Sequence, residues 1–129
     1  MDLVWVRQHV RRTAAQLGFG LVEQTRLVTA ASELARNTLV HGGGGVVEST
    51  CLTSGRVRGL RLVFADEGPG IPDPDRGSLG AGRPSGGGLG IGLGGTRRLV
   101  HEFSVESAAG TGTRVTVASW AATPPRGAP

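Results

Sequence analysis

A single run rich in glycine and proline divides this chain into two structured halves. Twelve of the 23 glycines in the 129-residue sequence fall between Gly68 and Gly95. Glycine usually makes up ~7% of a chain, and here the surplus is local and without a collagen-like period. From Glu67 to Gly90 the sequence offers a long loop. Loops of that length inside a compact domain are uncommon and are usually functional or disordered. The length suits one domain, residues 1–121, with 122–129 (Pro124, Pro125 and Gly127 among them) reading as a disordered tail.

The two halves carry clear periods. Leu3, Val6, Val10, Ala14 and Leu17 recur at helical spacing, and Gly18-Phe19-Gly20 closes that helix. A second helix is expected over 21–40, with Leu27, Ala30, Ala31, Leu34 and Ala35 on one stripe and the Gly42–Gly45 run stopping it. Strands are expected over 46–53 and 57–65; in the second, Leu60, Leu62 and Phe64 alternate with Arg61 and Val63. Beyond the glycine run the pattern predicts a helix over 91–102 and a hairpin of 103–107 with 112–120. The order ααββ–loop–αββ predicts an α+β fold: a two-layer sandwich with helices on one face of a mostly antiparallel sheet.

Composition removes whole classes of chemistry. All 14 basic residues counted as Lys or Arg are arginine. Without lysine there is no P-loop and no protein-kinase strand lysine to hold phosphates, and no Schiff base. One cysteine, Cys51, excludes an intramolecular disulfide and a multi-Cys zinc site, and reads as a small strand residue. His9, His41 and His101 lie far apart in sequence. The net charge is +4, but the arginines are scattered and no aromatics interleave with them, which argues against nucleic acid. No apolar run approaches the ~18 residues of a membrane span, and the N-terminus lacks the basic region of a signal peptide, so a cytoplasmic protein is expected.

Four local patterns could carry chemistry. Glu33 and Asn37 are one helical turn apart at the edge of an apolar stripe, a spacing that suits a hydroxyl activator beside a hard-cation ligand. Asp66-Glu67-Gly68-Pro69-Gly70-Ile71 ends a strand, where a carboxylate can accept from an exocyclic amine and glycines admit a flat base. The run Ser85, Gly86, Gly87, Gly88, Leu89, Gly90, Ile91, Gly92, Leu93 leads into a helix and frees backbone N–H groups for an anion. Gly110-Thr111-Gly112-Thr113 enters the last strand, where the Thr113 hydroxyl could support Asp66. Taken one at a time, each pattern also fits a plainer role: a core-edge polar pair, a turn, a linker, a hairpin.

Their order is more specific than any one of them. Helix E-x-x-x-N, strand D-x-G-x-G, then G-x-G-x-G before a helix, then G-x-G-T resembles the motif series of the GHKL (Bergerat-fold) ATP-binding domain, over roughly residues 3–120. The stretches Thr29–Asn37, Ala65–Ile71 and Gly87–Leu93, with Arg97-Arg98-Leu99 and Glu102-Phe103, are most similar to the serine/threonine switch kinases of the RsbT type. The resemblance implies ATP and Mg²⁺. It makes Asn37 the metal ligand and Glu33 the residue that orients or deprotonates the attacking hydroxyl. It assigns Asp66 to the adenine, with Gly68, Gly70 and Ile71 around the base and Thr113 behind it. Ser85 to Gly90, Gly92 and Leu93 would cradle phosphate. The implied partners are a STAS-domain antagonist as phospho-acceptor and a PP2C-type phosphatase activated by binding; a homodimer is left open. Two alternatives stand beside this: an anti-sigma factor kinase of the RsbW or SpoIIAB type that binds a sigma factor, and a non-catalytic ATP-binding module. The chain departs from the family by starting almost at its first helix, where a short strand is usual, by Pro84 after Arg83 in the phosphate-binding segment, and by glycines at Gly42–Gly45 beyond what the resemblance asks for. A GC-rich genome would account for that last surplus.

Overall fold

The computed structural model describes residues 2–68, 92–108, 110 and 112–121. Helix α1 (Leu3–Gln16) starts where the Asp2 carboxylate accepts from the Val4 and Trp5 N–H groups, at 2.8 and 3.3 Å. Such a cap contributes about 1 kcal/mol. It ends in a Schellman closure: Gly18 N–H donates to the Ala15 carbonyl and Phe19 N–H to that of Ala14. Helix α2 (Leu21–Val40) opens with the Glu23 carboxylate accepting from the Gly20 N–H at 2.7 Å. The stripe expected on α2 is buried in full: Leu27, Ala30, Ala31, Leu34 and Ala35 are each at most 1% exposed.

Four strands follow in one antiparallel sheet: β1 (Gly45–Ser54), β2 (Val57–Asp66), β3 (Glu102–Ala108) and β4 (Gly112–Trp120). Their spatial order is β1-β2-β4-β3. The period-2 alternation turns Leu60, Leu62 and Phe64 of β2 and Val115 and Val117 of β4 toward the helices, where they form the core with Val6, Val10, Leu27 and Leu34. Each such fully buried side chain contributes about 1.5–3 kcal/mol. The α+β class and the helices-on-one-face arrangement are as the sequence implies.

The third helix is shorter than its period suggests. α3 is Gly92–Arg97, not 91–102, and Glu102 is already in β3. Gly92, Gly94 and Gly95 are poor helix formers. The chain then tightens: Arg98 N–H reaches the Gly95 carbonyl and Leu99 N–H that of Thr96. His101 N–H donates to the Ala118 carbonyl, so the sheet captures the segment that local pattern assigned to helix. Arg26 of α2 anchors this turn, donating to the Arg98 carbonyl at 2.7 Å.

Candidate functional site

The register of the sheet puts one transverse rung at its end. Gly45 pairs with Asp66, Asp66 with Thr113, and Thr113 with Ser107, one residue from each of the four strands. The next rung on the same face, two residues inward, is Val47, Phe64, Val115 and Val105. Side chains directly opposite in an antiparallel sheet share a face. Asp66, Thr113 and Ser107 are therefore the polar continuation of the apolar face that packs under the helices. All three line a cavity of about 920 Å³ that wraps the end of the sheet and is also bordered by Gly42–Val46.

Hydrogen bonds hold this rung. The Asp66 carboxylate accepts from the Gly68 N–H through Oδ1 at 2.8 Å, which fixes its orientation. Ser107 Oγ donates to the Gly112 carbonyl at 3.0 Å and lies 2.9 Å from Thr113 Oγ1. Glycines close the ground around Asp66. A Cβ on Gly42 would lie 2.6 Å from Asp66 Oδ2, and a Cβ on Gly68 would lie 2.7 Å from the Gly42 Cα. At Gly112, φ is +92° and a Cβ would meet the Asp66 carbonyl and, at 2.9 Å, the Glu67 Cα. The Gly42–Gly45 run is therefore not compositional surplus. Gly42 seats the carboxylate, Gly45 lets Thr38 of α2 approach the end of β1, and the Gly42 and Gly44 N–H groups take up the Thr38 carbonyl at the C-terminus of α2.

Glu33 and Asn37 stand elsewhere. Both are half-buried on α2, and neither lines the cavity at the sheet end. Arg26, Glu33 and Asn37 are spaced by seven and four residues, so they share a helical face with Ala30. Arg26 on that face already touches the turn after α3, which orients the whole stripe toward the end of the glycine-rich segment. Among the described residues no side-chain hydrogen bond occupies Glu33 or Asn37. Gly92 opens α3, and Leu93 packs half-buried against the core. Gly70, Ile71, Ser85, Gly86, Gly87, Gly88, Leu89 and Gly90 lie outside the described residues. No group of three or more His, Cys, Asp or Glu residues that could hold a metal exists among the described residues. Asn37 fits a single hard-oxygen ligand, which suffices for Mg²⁺, an ion that keeps several waters and substrate phosphates around it.

Sequence reasoning missed Gly42 and Ser107. For Ser107 a signal existed: Phe103, Val105 and Ser107 alternate inward, and a polar residue ending an apolar alternation is turned toward whatever the sheet end holds.

Comparison with known proteins decides the family. Residues 22–123 match the family described as histidine kinase-, DNA gyrase B-, and HSP90-like ATPase. The chain belongs to this ATPase family. The serine/threonine-protein kinase RsbT of Bacillus subtilis (strain 168) is 44% identical over 119 residues, covering 92% of this chain and 89% of the relative. That likeness places this family member among the protein serine/threonine kinases, and the family makes ATP its nucleotide. A crystal structure of full-length ShkA in complex with AMPPNP superposes with a TM-score of 0.56 at 21% identity. This chain is covered to 95% and spans 30% of that longer one, a likeness of fold alone. No helix among the described residues is long and apolar enough to cross a membrane.

Proposed function

We propose that this chain is the kinase of an RsbT-type switch, transferring the γ-phosphoryl group of ATP to a serine or threonine of a STAS-domain antagonist. The observation that carries the reading is the rung: a fixed carboxylate, backed by a hydroxyl and floored by glycines, in a chain 44% identical to RsbT over nearly its whole length. Asp66 accepts from the exocyclic amine of adenine, with Thr113 behind it. Gly86 to Gly92 supply backbone N–H donors to the phosphates, which explains how a chain without lysine can hold them. Asn37 holds Mg²⁺, which when bound offsets the charge of the phosphates.

Glu33 orients the acceptor hydroxyl and takes its proton. The hydroxyl oxygen forms a bond to the γ-phosphorus as the bridging P–O bond breaks, and the electron pair leaves on ADP. Phosphoryl transfer of this kind is mostly positioning and charge neutralisation. In its second role the same chain binds and activates a PP2C-type phosphatase, and it works in the cytoplasm.

The test is a phosphotransfer assay with the purified chain, Mg-ATP and the STAS proteins encoded beside its gene. Label on a serine or threonine of one of them is expected, and the Glu33→Ala variant should label it at least about 100-fold more slowly. Recovery of a sigma factor in complex with the chain would replace this reading with an anti-sigma kinase. Absence of label, with phosphatase activation intact in Glu33→Ala, would leave a non-catalytic ATP-binding module.

A further inference from the structure

We infer that the outer face of the α1–α2 hairpin is the docking surface for the acceptor protein, and that the surface it receives there is acidic. The inference rests on the proposed kinase reading, in which Glu33 meets the acceptor hydroxyl. Val22, Thr29, Glu33, Arg36 and Val40 of α2 are spaced by seven, four, three and four residues, so they form one stripe along the helix. All five are exposed or half-buried. Across the hairpin, Arg7 and Arg11 of α1 lean onto the flank of that stripe. Arg7 Nε donates to Ser32 Oγ at 3.0 Å, and Arg11 donates to Gln24 Oε1 at 3.3 Å and to Thr25 Oγ1 at 3.2 Å. Ser32 immediately precedes Glu33, and Arg36 lies one turn beyond it. A protein whose hydroxyl reaches Glu33 therefore lies beside Arg36 and Arg7.

The charges on this face are ordered but not neutralised. The acids of the hairpin are Asp2, Glu23 and Glu33. Asp2 is engaged by the Val4 and Trp5 N–H groups and Glu23 by the Gly20 N–H, so both serve as helix caps. Arg7 and Arg11 are held by neutral oxygens, and Arg36 makes no side-chain hydrogen bond or ion pair among the described residues. A guanidinium held in place without a counter-charge suits a carboxylate, which it can take with two parallel hydrogen bonds. Exposed Val22 and Val40 on the same stripe give the face the mixture of arginine and apolar side chains found at protein interfaces. Arg12 lies off this face. It shares a stripe with Trp5 and His9, seven and three residues before it, and His9 Nε2 lies 3.1 Å from Ser49 Oγ of β1.

The experiment measures phosphotransfer from Mg-ATP to the STAS protein that the wild-type chain labels, with kcat and the acceptor KM determined separately. Arg36→Gln and Arg7→Gln should each raise the acceptor KM about 10-fold, while kcat and the KM for ATP stay within about threefold. Arg36 has no partner to lose, so its variant covers the case in which Arg7→Gln fails to fold. Arg36→Lys, which keeps the charge, should bring the acceptor KM back to within about threefold of the wild type. The wild-type acceptor KM should also rise with added salt, and more steeply than that of the Arg7→Gln, Arg36→Gln double variant. Arg12→Gln should leave it unchanged. An unchanged acceptor KM in Arg36→Gln overturns the inference. So does an equal rise in Arg12→Gln, which would assign the effect to net charge and not to this face. Competition by a random-sequence RNA that is lost in the same variants would make the face a polyanion site and overturns it too. All three results leave the kinase reading standing. Absence of label on every STAS protein with the wild-type chain removes that reading, and the inference with it.

Discussion

The rung at the end of the sheet and the Glu33–Asn37 face of α2 are built in opposite ways. On the rung, each polar side chain is already held by a neighbour. Asp66 is held by Gly68, Thr113 by Ser107, and Ser107 by Gly112, with Gly42 packed against the carboxylate. On α2, the two side chains are positioned only by the helical period and half-burial, with no side-chain hydrogen bond among the described residues. A preorganised group costs little to engage and can discriminate between ligands. A half-buried polar group with open valences is instead completed by what binds, which suits a metal ligand and a residue that meets a protein hydroxyl. On the proposed reading, recognition and chemistry are separated in space on one small scaffold.

The sharpest way to break this comparison is at Glu33. Glu33→Ala should lose about 10²–10⁴-fold in phosphotransfer rate. Its ATP affinity should stay within about threefold; a parallel fall in affinity, read by calorimetry, would mean that α2 belongs to recognition after all. Asp66→Asn reverses the test. Losing a charge-assisted acceptor of about 1.5–3 kcal/mol should weaken ATP binding by about 10–100-fold. Unchanged affinity would remove the rung from recognition.

Gly42→Ala sets a Cβ 2.6 Å from Asp66 Oδ2 and should cost about 1–3 kcal/mol of stability in denaturant unfolding, with weaker ATP binding because the carboxylate must move. Gly43→Ala gives the smallest effect. Its φ of +74° with nothing near the added Cβ predicts about 1 kcal/mol of strain and unaltered ATP affinity. If both variants lose affinity equally, the Gly42–Gly45 turn supports the site through its backbone shape and not through the close approach of Gly42 to Asp66.

Much of this was legible residue by residue. The helical stripe of α2 announced its buried face, and the alternation of β2 required Asp66 to follow Leu60, Leu62 and Phe64 on the inner face of the sheet. The motif order identified the family before any geometry. The helix after the glycines was misjudged, because Arg97 to Val100 carry an apolar–basic pattern that a helix tolerates while the β4 edge offers His101 a better partner. Gly42 looked like surplus because a glycine's need for space is set by a neighbour 24 positions away in sequence.

What the sequence by itself determined is local: where helices start and stop, which face of each element is apolar, and which chemical groups the chain possesses. Its lack of lysine, for one, was enough to exclude the lysine-dependent ways of holding phosphate. Only the tertiary structure decided that Gly45, Asp66, Thr113 and Ser107 share one rung. The physical reason is that strand register is a non-local choice. It is fixed by packing Val47, Phe64, Val115 and Val105 together as the next rung on the same face, and a slip of one residue would turn the carboxylate and both hydroxyls away from the face on which they now meet.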